Sequence, residues 1–219
     1  LAAALGLASG VAQAQSQGVS KDEILVGSIQ DLSGPIAAFG KAVRQGMLLR
    51  VEEVNEQGGV HGRKLKLLVE DDGYDPKKAV LAAQKLVNQD KVFIVVAHTG
   101  TAQNNAAMPI QFEKNVVNFL PVTAAREMYE PLNRLKFAST VPYYDQMLTW
   151  LPKLIKDKSA KKVCVLYQDD EFGLEVVRGA EAGLKTVNME MAEKTSYKRG
   201  ATDFSSQVAR MKAADCDFV

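Results

Sequence analysis

What most constrains this chain is an alternation that begins near residue 24 and is still running at its last residue. Short unbroken apolar runs rich in Val, Ile and Leu are each followed by a longer stretch with apolar residues at helical spacing. Runs without polar alternation read as strands covered on both faces, so the pattern predicts parallel sheets flanked by helices, an α/β fold. The most informative unit is VFIVVAHTGTAQNNAA at 92–107. Residues 92–97 read as a buried strand, His98, Thr99 and Gly100 break it, Thr101 is a candidate N-cap, and the chain is helical from Ala102. First-turn N–H groups and two hydroxyls then gather at the carboxyl end of a strand, a ready place for a carboxylate or phosphate. Thr101 as a cap alone is the competing reading, and Pro109 leaves the end of that helix loose.

In chain order, a strand at 24–30 leads through the loop at 31–35 into a helix at 41–57. There Val43, Met47, Val51 and Val54 share one face, Arg44, Arg50, Glu52, Glu53 and Glu56 are left to water, and Gly58 and Gly59 stop the helix. A strand at 64–70 precedes a helix opened by Asp75 as cap with Pro76 behind it and running to about residue 89. Strands follow at 116–122 and 136–139. Pro142 marks a boundary, after which helices at 144–156, 171–187 and 203–214 alternate with strands at 162–167, 189–195 and 216–219. Residues 22–141 are expected to form an N-terminal lobe and 142–219 the start of a C-terminal one. The strand cut at Val219 predicts that the gene continues by roughly 100 to 200 residues.

A net charge of +1 with both signs interspersed gives no global field for nucleic acid or an anionic membrane. Lys156, Lys158, Lys161 and Lys162 read as a solvated connection. The opening LAAALGLASGVAQAQ is apolar and ends in Ala12-Gln13-Ala14, the back half of a secretory signal over residues 1–14, which predicts a periplasmic protein. No other stretch approaches the roughly 20 apolar residues of a membrane span. Cys164 and Cys216 lie in apolar, strand-like runs, where free buried thiols are expected rather than a bridge.

No G-x-G-x-x-G, G-x-x-x-x-G-K-[ST] or G-x-S-x-G is present. His61 and His98 have no metal-ligand spacing, and His98 reads as a strand-end residue with a satisfied ring. The pairs Asp71-Asp72 and Asp169-Asp170 offer carboxylates for Mg²⁺, but solvated strand ends with capping duty are the simpler account. No cofactor or metal is called for. In open parallel sheets ligands bind beyond the carboxyl ends of the strands, where the loops at 31–40, 98–101, 122–125 and 168–173 fall. The last belongs to the second lobe, so the natural site is an interlobe cleft.

The segments ILVGSIQDLSGPIAAFG, NEQGGVHGRKLKLLVEDDGYDP, VVAHTGTAQNNAA, LYQDDEFG and TDFSSQVARMKAADCDFV together resemble the solute-binding proteins of branched-chain amino acid type ABC importers. That family has the two-lobe type I periplasmic binding protein fold, and the resemblance covers nearly all of the chain after the export segment. It implies a ligand carboxylate held by Thr101, with Gly100 and Ala102 beside it, and by backbone groups at Val122, Thr123 and Ala124. It implies an aromatic at Phe39 packed on the ligand, and a membrane permease as partner. The amino-acid binders carry Thr at the position of Ala124, Tyr at that of Phe172 and Asp at that of Tyr143, around the ligand's amino group. Some members join the positions of Tyr74 and Gly100 by a disulfide, which this chain lacks.

Three functions compete. The first is a monomeric exported binding protein, not an enzyme, that closes on a small carboxylate-bearing solute, a branched-chain amino acid or an aromatic or hydrophobic acid. The second is a ligand-sensing receptor domain of the same fold. The third is a doubly wound hydrolase or dehydrogenase completed by residues beyond Val219. With no acceptor at Ala124 or Phe172 and three rings at Phe39, Tyr143 and Phe172, the expected ligand is an acid without an α-amino group.

Overall fold

The computed structural model describes residues 16–219, so the export segment read at 1–14 lies outside the described residues. Five parallel strands form the first sheet: β1 (Glu23–Gln30), β2 (Lys64–Asp71), β3 (Ile94–Val96), β4 (Val117–Phe119) and β5 (Lys136–Phe137), in the order β2-β1-β3-β4-β5. The helices α1 (Ala37–Glu56), α2 (Pro76–Gln84) and α3 (Thr101–Glu113) connect the first four strands. Ile29, Ala79, Ala83, Leu86, Val87, Val92, Val95, Ala107 and Val116 make its core. Burying each Val, Leu or Ile there contributes roughly 1.5–3 kcal/mol.

Helix α1 half-buries Val43, Met47, Val51 and Val54 and leaves the named charges exposed, as its spacing predicts. Asn55 ties its end to β2, donating to Leu65 O at 2.9 Å and accepting from Leu65 N–H at 2.7 Å. The Asp75 carboxylate caps α2 through Lys77 N–H at 2.8 Å, with Pro76 in the first turn. The last part of that expected helix, Lys85–Gln89, is a π-helical turn. Strands β3 and β4 are shorter than expected because Ala97 (φ 53°) and Leu120 (φ 50°) turn the backbone out of the ladder. Helix α3 passes through Pro109 unbroken, its buried residues Ala107, Met108 and Gln111 holding it against the sheet.

The second sheet pairs β6 (Cys164–Gln168) with β7 (Glu193–Tyr197) in parallel, packed by α4 (Tyr143–Lys158) and α5 (Glu171–Thr186) and followed by α6 (Ser205–Ala213). Leu151, Ile155, Val163, Ala180 and Leu184 are its core. The two helices lie so close that a Cβ at Gly179 would stand 2.6 Å from Tyr144 O, a spacing only glycine allows. Strand β7 lies four residues beyond the start expected for it, because Met189 and Met191 are used as packing against that core and pairing starts only at Glu193. The strand expected at 216–219 is reduced to one bridge, Val163 with Phe218.

The expectation of free thiols is corrected. Cys164 and Cys216 form a disulfide with their Cα atoms 5.9 Å apart. Cys216 lies just past the end of α6, and the chain returning beside β6 presents it to Cys164, whose N–H donates to Phe218 O at 2.8 Å.

Candidate functional site

In a sheet ordered β2-β1-β3-β4-β5, the connections leaving β1 and β3 depart to opposite sides, and a crevice opens between them at the carboxyl ends of the strands. A cavity of about 450 Å³ lies there. Phe39 enters it from the start of α1, Gly100 and Thr101 from the turn after β3, Val122, Thr123 and Ala124 from the segment after β4, Tyr143 from α4 and Phe172 from α5. Ala102 does not line it. A helical residue is turned by about 100° from its neighbour, so beside Thr101 the Ala102 methyl is buried instead.

The polar floor is built from the turn after β3. Polar side chains take over where the β1–β3 ladder ends: Ser28 Oγ donates to Val96 O at 2.7 Å, Gln30 Nε2 to Ala97 O at 2.6 Å, and Thr99 Oγ1 to Gln30 Oε1 at 2.6 Å. Asn104 then gathers the turn, donating to His98 O at 2.8 Å and Gly100 O at 2.7 Å while accepting from Asn118 of β4 at 3.0 Å. Gly100 is the N-cap at φ 97°, where a Cβ would collide with the Gln103 side-chain carbonyl. Thr101 is therefore corrected: it is the first helical residue and makes no side-chain cap bond. Its hydroxyl instead shares a 2.7 Å hydrogen bond with the Thr123 hydroxyl, and Ala125 N–H donates to Thr123 Oγ1 at 3.3 Å.

The walls are aromatic. Tyr143 and Phe172 meet edge to face with centroids 5.1 Å apart, and Tyr143 is fixed by its N–H donating to Ala124 O at 2.8 Å. Phe39 is half exposed at the mouth. The loop before it is organised by the buried Asp31 carboxylate, which accepts from Ser33 N–H at 3.2 Å and Ile36 N–H at 2.8 Å. Sequence reasoning placed Ile36 and Thr99 only within their loops, and it missed Tyr74, Leu120, Pro121, Ser139 and Thr140. Tyr74 follows the strand-end Asp pair, and the resemblance set its position beside Gly100, two signals that could have found it. Among the described residues, no charged side chain lines the cavity.

Under this floor sits His98, whose ring is fully buried. The expectation of a satisfied ring is corrected: among the described residues neither ring nitrogen has a hydrogen-bond partner, and Nε2 stands 3.9 Å from Asp72 Oδ2. Burial pushes the imidazole below its ordinary value near 6.5, against the opposing pull of Asp72. Burial likewise raises the Tyr74 phenol and the Glu175 carboxyl, the latter accepting from Arg126 N–H at 3.1 Å. Of the two Asp pairs, Asp71, Asp72 and Asp170 are spent on backbone N–H groups and arginine, while Asp169 is exposed. Asp71 accepts from Leu32 and Gly73 N–H, Asp72 from Tyr74 N–H, and Asp170 caps α5 through Gly173 N–H. Asp72 is buried rather than solvated because it closes this turn.

The profile of the periplasmic binding protein family matches residues 23–219. The Leu/Ile/Val-binding protein of Escherichia coli (strain K12) is 29% identical over 213 residues, a match that takes in 97% of this chain and 58% of that protein. The chain thus spans little more than half the length of this relative. Among solved structures, the fatty acid ABC transporter substrate-binding protein from Thermomonospora curvata superposes with a TM-score of 0.84 at 27% identity, over 93% of this chain and 51% of that one. The branched-chain amino acid transporter substrate-binding protein of Streptococcus pneumoniae, solved with isoleucine, gives 0.78 at 25% identity, over 90% and 56%. With the parallel sheets, the crevice at the strand ends and a profile match over almost every described residue, the chain belongs to the periplasmic binding protein family.

Proposed function

We propose that the full-length protein captures a small carboxylate-bearing solute between two lobes in the periplasm and delivers it to the membrane permease of an ABC importer, acting as a monomer and without catalysis. Residues 22–141 are the first lobe and 142–219 the opening part of the second. The observation that carries the reading is the cavity itself. The first turn of α3 and the Thr101 and Thr123 hydroxyls offer neutral donors on one side, and the rings of Phe39, Tyr74, Tyr143 and Phe172 stand on the others. A carboxylate suits the first side, since helix N-termini and hydroxyls bind anions without a formal positive charge. A flat or bulky apolar group suits the second.

An α-ammonium is poorly served, because among the described residues the walls carry no carboxylate and burying an unpaired cation costs several kcal/mol. The ligand class that fits is an aromatic or hydrophobic acid without an amino group. The names of the relatives support the carboxylate: leucine, isoleucine, valine and fatty acids share that group and not the amine. The disulfide suits an oxidising compartment. A thermal-shift screen of the full-length mature protein against leucine, phenylalanine, benzoate, octanoate and benzamide tests the reading. An acid at a hundredfold excess over its Kd adds about 2.7 kcal/mol of stability, and benzamide adds none. Equal shifts with benzoate and benzamide, or no shift with any acid, would refute it.

A further inference from the structure

Tyr74 belongs to the first lobe but touches the second. It follows β2 with φ 61°, directly after Gly73 at φ 56°. A side-chain-bearing residue enters that left-handed region at a cost, and here the turn holds the ring out over the cavity instead of letting it fold back. Gln103 Nε2 donates to Tyr74 O at 2.8 Å and fixes the backbone, and one ring edge stands over Gly100. Against the ring lies Arg199, from the bend after β7, with its guanidinium carbon 5.1 Å from the ring centroid.

Arg199 is itself held by the second lobe. Its Nη2 donates to Asp170 Oδ2 at 2.6 Å, and the same oxygen accepts from Gln168 Nε2 at 2.6 Å. Asp170 is nearly buried and Arg199 three-quarters buried, and Arg199 Nε has no hydrogen-bond partner among the described residues. A guanidinium taken that far from water with one carboxylate contact gains from the face of an aromatic ring, and the ring offered to it belongs to the opposite lobe. The contact therefore exists only while the lobes are together.

We propose that Tyr74 and Arg199 form a clasp across the cleft, with Asp170 and Gln168 as its anchor, that sets how far the two lobes rest closed before any ligand arrives. The clasp rests on the two-lobe reading above but needs no ligand. Opening the cleft separates ring from guanidinium, so the clasp biases the empty protein toward closure and slows the escape of whatever is bound.

Spin-label pairs on the exposed positions Leu49 and Val208, one in each lobe, read the interlobe distance in the ligand-free full-length protein. Tyr74→Leu and Arg199→Gln are each expected to raise the ratio of open to closed molecules by about three- to tenfold, the range that a partly desolvated cation–π contact supplies. The double variant should do no more than either single one. Tyr74→Phe keeps the ring but loses the phenol's interaction with Gln168 and should fall between the parent and Tyr74→Leu, whereas Arg199→Lys keeps the charge but loses the planar face and should fall between the parent and Arg199→Gln. Should Tyr74→Leu misfold, the arginine variants carry the test alone. An unchanged distance distribution in Arg199→Gln and Arg199→Lys, or effects that add in the double variant, would overturn the clasp. Because no ligand is present, a failed ligand screen leaves this result standing, and a null result here leaves the proposed binding function untouched.

Discussion

Thr101 and Thr123 face each other across the turn after β3 and the segment after β4, and their shared hydrogen bond leaves one hydroxyl proton free to be redirected. A carboxylate arriving at the first turn of α3 can accept it. Thr101→Ala should therefore weaken a bound acid by about 1–3 kcal/mol while lowering fold stability by only about 1 kcal/mol, since the hydroxyl caps nothing. Titration and thermal melting of the same variant check both, and unchanged affinity would remove Thr101 from the site. His98 contributes at the same scale through protonation. Its folded-state pKa lies below the ordinary value of about 6.5, first because of burial and despite Asp72, so the unfolded chain binds the proton more readily. The stability His98 contributes is complete above that value and is lost as pH falls beneath it. The melting temperature should drop on acidification from about pH 7.5 to 5.5, and His98→Gln should flatten that slope. A slope that His98→Gln leaves unchanged would show that other groups set it.

At the scale of elements, the disulfide closes a stretch of 52 residues that includes α5, β7 and α6. Cross-linking so long a loop limits the unfolded chain, and removing the bridge by Cys164→Ala with Cys216→Ala should cost about 2–4 kcal/mol. Dithiothreitol should lower the melting temperature of the parent toward that of the variant and leave the variant unmoved. The bridge was not legible because a buried cysteine looks the same in sequence whether or not a partner lies 5.9 Å away, and only the return of the chain past α6 brings Cys216 there. The alternation of strands with helices and the helix faces were legible, since Val43, Met47, Val51 and Val54 show a period that packing must honour. Strand ends were not. Ala97 and Leu120 adopt left-handed backbone with side chains that give no warning of it, and Met189 and Met191 look like a strand but serve as packing. In the cavity, Gly100 and Thr101 could be read from the broken strand, and the resemblance paired the positions of Tyr74 and Gly100, but only the fold shows the Tyr74 ring as part of the cavity wall.

At the scale of the whole molecule, two parallel sheets present their loops to one cavity that has neutral donors, four rings and, among the described residues, no charged wall. The central claim is that such a cavity keeps the carboxylate of its relatives' ligands and has given up the amine. The chain here spans 58% of the Escherichia coli relative, so the ligand of the whole protein is tested on the full-length protein. Calorimetric titration of that protein with leucine, phenylalanine and benzoate, under one buffer and temperature, tests the claim most directly. The account predicts micromolar binding of benzoate and none of leucine, and micromolar leucine with no heat from benzoate would contradict it.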